Sequence, residues 1–161
     1  CGGGLQKVWK LLLTTLALFQ QSPDIGGYIY TIISDNLYLY VGTDDVYKIT
    51  KIRKSTMDIT LQSADLGGMC YTMAKDYTYL YVSNDATQTV KKLNKSTLQV
   101  VAESAPYDGE ILSITVDANH VFIAGTTYQK VRKLNKSDLS QADESDTYGA
   151  NIWSLAIGDS I

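Results

Sequence analysis

One histidine, two cysteines and no run of basic residues leave little material for the commonest chemistries. Cys1 and Cys70 have no histidine near them, so the chain carries no metal-ligand motif. The two cysteines also fall at different points of the repeat described below, and they read as unpaired small hydrophobes rather than a disulfide. A net charge of −3, with lysines spread along the chain, gives no cationic footprint for phosphates and excludes nucleic acid as a partner. No D-x-D-x-D loop, Ser-His-Asp set or phosphate-binding glycine loop occurs. The longest apolar stretch, around residues 11–19, is too short to span a membrane. With Lys7 and Lys10 before it, that stretch resembles a signal peptide, but Val8, Lys10, Leu11, Leu16 and Ser22 all match residues of later copies, which makes it folded repeat. The first residue is not Met, so a processed product, a fragment or a lipidated Cys1 all fit.

What the sequence does hold is a period. Val90 to Leu98 is restated at Val131 to Leu139 and, more loosely, at Ile49 to Met57 and Val8 to Leu16, always 41 residues apart. The same step relates Asp35, Asp76 and Asp117, and it relates Leu39-Tyr40-Val41 to Leu80-Tyr81-Val82 and Val121-Phe122-Ile123. A period of this size marks stacked or radially arranged units. Residues 1–25 read as the second half of a unit, 26–66, 67–107 and 108–148 as full units, and 149–161 as the first strand of the next.

Each unit predicts four short strands. The first covers Tyr28 to Ser34, Met69 to Lys75, Ile111 to Val116 and Ile152 to Ile157, with period-two alternation. An Asp-centred turn leads to the apolar Leu-Tyr-Val strand. The third strand is Ile49 to Ile52 and its equivalents; the fourth is Met57 to Leu61 and Leu98 to Ala102, becoming polar in the last copy as suits an edge. This predicts an all-β fold, a β-propeller segment of about four four-stranded antiparallel blades with one blade split between the termini. A strand solenoid is the rival arrangement. The columns Tyr30/Tyr71/Leu112/Trp153 and Tyr40/Tyr81/Phe122 are expected to be buried between blades.

Leu80-Tyr81-Val82-Ser83-Asn84, followed by Thr89-Val90-Lys91-Lys92-Leu93-Asn94 and Thr97-Leu98-Gln99-Val100-Val101, resembles β-propeller repeats of the YVTN type. The Gly-Pro that the family carries before the inner strand is absent. The resemblance implies a secreted, cell-surface or virion-associated module with a binding or scaffold role, no cofactor and a protein or glycan surface as partner. An extracellular propeller enzyme or lectin acting on carbohydrate is the alternative.

Candidate ligand-binding residues are the loop aromatics Tyr47, Tyr107, Tyr128 and Tyr148, because tyrosine offers flat apolar area with a polar tip. Tyr107 and Tyr148 share a column with Leu66 and Ile25, which also suits a packing role. Weak metal candidates are Asp44, Asp45, Asp85 and Asp108 on the rim formed by the second-to-third and fourth-to-first loops; their irregular spacing favours a solvated rim. His120 stands in the column of Tyr38 and Tyr79 as a packed or half-exposed substitute, with no carboxylate indicated beside it. Repetition gives Lys10/Lys51/Lys92/Lys133 and Ser22/Ser63/Ser104/Ser145 structural jobs. Four periods would need three more residues than the chain has, the equivalents of Leu39, Tyr40 and Val41. The expectation is therefore an arc of a larger propeller, or self-association into a two-chain, eight-bladed ring.

Overall fold

The computed structural model describes residues 5–158, and all regular structure in them is β. A two-stranded sheet, β1 (Trp9–Leu11) with β2 (Leu18–Gln21), is followed by three four-stranded antiparallel sheets. The first is β3 (Ile29–Ser34), β4 (Tyr38–Thr43), β5 (Ile49–Arg53) and β6 (Ile59–Gln62). The second is β7 (Met73–Lys75), β8 (Tyr79–Asn84), β9 (Thr89–Asn94) and β10 (Val100–Glu103). The third is β11 (Ile111–Val116), β12 (His120–Gly125), β13 (Arg132–Asn135) and β14 (Gln141–Glu144). In each, spatial order equals chain order, so every connection is a local hairpin. No helix among the described residues is long and apolar enough to cross a membrane.

Sheets pack face to face through apolar columns. Val8 and Ile25 meet Val41, Ile52 and Met57; Tyr40 and Ile49 meet Leu80, Leu93 and Leu98; Tyr81 and Val90 meet Val121, Leu134 and Leu139. Each large side chain so buried contributes roughly 1.5–3 kcal/mol. The second strand is buried on both faces, as its unbroken apolar character requires: Leu80, Tyr81 and Val82 are all fully covered.

Two columns carry the polar upkeep of the stack. The hydroxyls of Ser22, Ser63, Ser104 and Ser145 accept from the amides of Val8, Ile49, Val90 and Val131 and donate to a carbonyl one residue on. The ammonium groups of Lys10, Lys51 and Lys92 each donate to a carbonyl 44 residues ahead, in the next sheet (Lys54, Lys95 and Lys136).

Several features differ from what the sequence predicts. Tyr30 and Trp153 are exposed and Tyr71 and Leu112 half-buried; the Tyr30 and Tyr71 rings, from adjacent sheets, meet edge-on 5.4 Å apart and still leave Tyr30 open to solvent. Phe122 is also only half-buried, whereas Tyr40 and Tyr81 are covered. Residues 152–157 run alongside the third sheet without joining a ladder, held by Ile152 N–H to the Gly125 carbonyl and Leu155 N–H to Ser113 Oγ. Likewise the strand expected from Met69 begins at Met73, since the Met69, Tyr71 and Thr72 amides go to the Asp85 carboxylate and Ser83 hydroxyl. The fourth strands start two residues late because Met57 and Leu98 adopt left-handed φ of 62° and 55° inside the turn.

Candidate binding site

The turn between first and second strands is built alike in the first and second four-stranded sheets. One Asp35 carboxylate oxygen accepts from the Leu37 and Tyr38 amides, and the other accepts from the Tyr40 hydroxyl at 2.9 Å. Asp76 does the same with Thr78, Tyr79 and Tyr81. Across the sheet boundary, Lys95 Nζ lies 3.4 Å from Asp35 and Lys136 Nζ 3.3 Å from Asp76. Burial pushes the Asp35 carboxyl up, but the two amides, the Tyr40 hydroxyl and Lys95 outweigh it and hold the group at about 2. Burial raises the Tyr40 hydroxyl, and the Asp35 anion adds to it. Lys51, seated 4.1 Å above the Tyr38 ring, is lowered by burial and by Lys95 and Arg53, against the pull of Asp35.

These turns frame a cleft of about 890 Å³ between the first and second four-stranded sheets. Its walls carry Lys51, Lys54, Lys75 and Lys95 against Asp35 and Asp76, with Tyr38, Tyr40 and Tyr77 beside them. Lys54 and Lys95 are tied to the Asp35 and Asp76 carbonyls, and Lys51 to the Lys95 carbonyl, so they are framework. Lys75 and Tyr77 differ. Lys75 stands where the other copies have Ser34 and Val116, and Tyr77, 95% exposed, where they have Asn36 and Ala118. Among the described residues the Lys75 ammonium has no ion-pair partner. The cleft therefore offers one uncommitted cation and one flat aromatic at its mouth, the pair suited to a carboxylate beside an apolar group.

The loop residues Asp44, Asp45, Asp85, Asp108, Tyr47, Tyr107, Tyr128 and Tyr148 belong to the opposite rim. There the Asp44 and Asp85 carboxylates accept from the Tyr28 and Met69 amides and pin the loop to the chain entering the first strand of the same sheet. Asp45 is exposed, and Asp108 lies 3.9 Å from Arg132. No three His, Cys, Asp or Glu side chains among the described residues are grouped to hold a metal ion. Tyr107 is fully buried, its hydroxyl donating to the Lys130 carbonyl at 2.5 Å and accepting from the Gly125 amide. Tyr128 is half-buried, edge-on to Tyr107, and donates to Glu144 at 2.6 Å. Tyr47 is half-buried at a left-handed φ of 47°, and Tyr148 is exposed. These four are not brought to one spot. His120 does have a carboxylate beside it: Asp117, 3.3 Å away, which also accepts from the His120 and Asn119 amides and so serves the turn. Cys70 is buried, and burial raises its thiol out of the reactive range; Cys1 lies outside the described residues.

No protein-family model and no curated protein matches the chain. Solved structures do. The computationally designed Ika4 protein superposes with a TM-score of 0.75 at 13% identity, covering 83% of this chain and 82% of that chain. The WD40 β-propeller domain of Doa1 gives 0.73 at 12% identity over 86% of this chain and 47% of that one. A chain of the Mitotic Checkpoint Complex gives 0.81 at 9% identity over 94% and 48%. At these identities the likeness is one of fold. The chain is an all-β protein of propeller-like architecture, and it spans about half the length of the last two.

Proposed function

We propose that the chain is a non-catalytic propeller scaffold that binds an acidic protein surface at the cleft between its first two full sheets. The observation that carries this is the break in repeat symmetry at Lys75 and Tyr77. Lys51, Lys54 and Lys95 are committed to backbone carbonyls, whereas Lys75 has no ion-pair partner among the described residues and Tyr77 is 95% exposed with only Lys95, 6.0 Å away, over its ring, which leaves this pair for a ligand. The shared fold with a chain of the Mitotic Checkpoint Complex and with the Doa1 WD40 domain supports a role in protein association. The resemblance to YVTN-type repeats supports a setting at a cell or virion surface. An array of acidic peptides and glycans, probed with wild type and with Lys75→Ala/Tyr77→Ala, tests the proposal. Binding to acidic peptides that the double variant loses is the expected result; retention on glycans alone, or turnover in a panel of hydrolase and lyase assays, would refute it.

A further inference from the structure

In several columns of the repeat, residues inside the stack are buried and the one at an outer face is not. Met57, Leu98 and Leu139 are at most 2% exposed, but Leu16, in the same column, is 70% exposed. All four hold a left-handed φ, of 62°, 55°, 64° and 58° respectively. Inside the stack, burial against the preceding sheet offsets that strain; Leu16 bears it with nothing packed on it. Leu11 is exposed where Ile52, Leu93 and Leu134 are buried. At the other end Tyr148 is exposed where Ile25, Leu66 and Tyr107 are buried. The rear face of β1–β2 and the front face of β11–β14 are thus the two unmatched halves of an interface that recurs between sheets.

The residues at these faces also differ from the repeat in a matched way. Inside the stack a carboxylate takes a Tyr hydroxyl from its own sheet and a Lys from the next, as Asp76 takes Tyr81 and Lys136, with Lys136 5.8 Å from the Tyr81 ring. In the third sheet Phe122 replaces the tyrosine, and in the column of Lys54, Lys95 and Lys136 the first copy has Leu13. Both polar partners are lost together and an apolar pair stands in their place, while Asp117 turns to His120 instead. Such a joint change makes sense if Leu13 covers Phe122. Lys133 fits the same contact: Lys10, Lys51 and Lys92 each reach a carbonyl of the next sheet, but Lys133 has only the Phe122 ring, 6.0 Å away, among the described residues. The carbonyl that the repeat assigns to it belongs to Leu13.

From this we infer that two copies of the chain associate head to tail, the front face of the third sheet in one copy receiving the rear face of β1–β2 of the other. Leu13 and Leu16 of the second copy pack on Phe122, and Lys133 donates to the Leu13 carbonyl of the second copy. Two such contacts close a symmetric pair. The apolar hollow of about 330 Å³ that Trp9, Ile32, Leu39 and Met57 line behind the first full sheet is then covered by the 149–158 segment of the other copy.

Sedimentation velocity with tryptophan emission tests the inference, because both tryptophans, Trp9 and Trp153, are exposed at these faces. The expected result is a two-chain species that dissociates on dilution, with a blue shift on association. Leu13→Asp, at a fully exposed side chain, and Lys133→Glu, whose one side-chain partner among the described residues is the Phe122 ring, should keep the wild-type circular dichroism spectrum yet sediment as single chains. An equal mixture of the two retains one unaltered contact and should recover two-chain species. The inference fails if wild type stays a single chain at roughly 100 µM, if either variant still associates as wild type does, or if the mixture does not.

Discussion

Replacing Asp35 by Asn isolates the charge at the turn that frames the cleft. The amide keeps an oxygen for the Leu37 and Tyr38 amides but cannot accept from the Tyr40 hydroxyl and hold Lys95 with a full negative charge. The carboxyl is held at about 2 instead of its ordinary 3.8. A tenfold change in proton affinity is about 1.4 kcal/mol, so this anion stabilises the fold by roughly 2 kcal/mol at neutral pH. Because the folded-state value is depressed, that contribution is complete above the unfolded value of 3.8 and is lost as pH falls toward about 2. Roughly half should remain at pH 3. Urea titrations of wild type and Asp35→Asn at pH 7 and pH 3 measure it. The variant should be less stable by roughly 2 kcal/mol at pH 7 and by roughly 1 kcal/mol at pH 3. A difference that is the same at both pH values, or below about 0.5 kcal/mol at pH 7, would refute the electrostatic reading of this turn.

Ser104→Ala removes both the acceptor for the buried Val90 amide and a donor to the Ala105 carbonyl. The orphaned amide should cost about 1–3 kcal/mol in urea titrations. Leu98→Ala, at a covered position between sheets, should cost about 2–5 kcal/mol, whereas Leu16→Ala in the same column should change the stability of the dilute single chain by less than about 0.5 kcal/mol; thermal unfolding of both variants checks the contrast. Cys70 should resist thiol reagents in a Cys1→Ser variant until urea unfolds it, since its thiol is buried and raised; rapid labelling under native conditions would contradict that placement.

Much of this architecture was written in the 41-residue step. The four-strand unit, the two-faced burial of Leu80-Tyr81-Val82 and the framework role of the serine and lysine columns all follow from asking what every copy must do. Other features depend on what lies across a sheet boundary, and one unit's pattern does not carry that. Tyr30 alternates as a core residue would, yet its ring meets Tyr71 at the edge of the stack. Met57 and Leu98 look like the first residues of a strand, but their left-handed φ puts them in the turn, a conformation bulky side chains signal poorly. Asp117 sits three residues from His120, and only the turn brings the two together. The cleft was legible in principle: Lys75 and Tyr77 break columns that are Ser/Val and Asn/Ala elsewhere. The aromatics of the acidic loops stand out more in the sequence, yet Tyr107 among them is fully buried.

The proposed binding role is tested most directly by a titration of the ¹⁵N-labelled protein with a glutamate-rich peptide carrying one aromatic residue, followed by amide chemical shifts. Saturable shifts confined to the turns around Lys54, Lys75 to Tyr77 and Lys95, abolished by Lys75→Ala/Tyr77→Ala and weakened by salt, are the expected result. Shifts centred instead on the acidic rim around Asp45 and Asp108, or shifts that persist unchanged in the double variant, would contradict it.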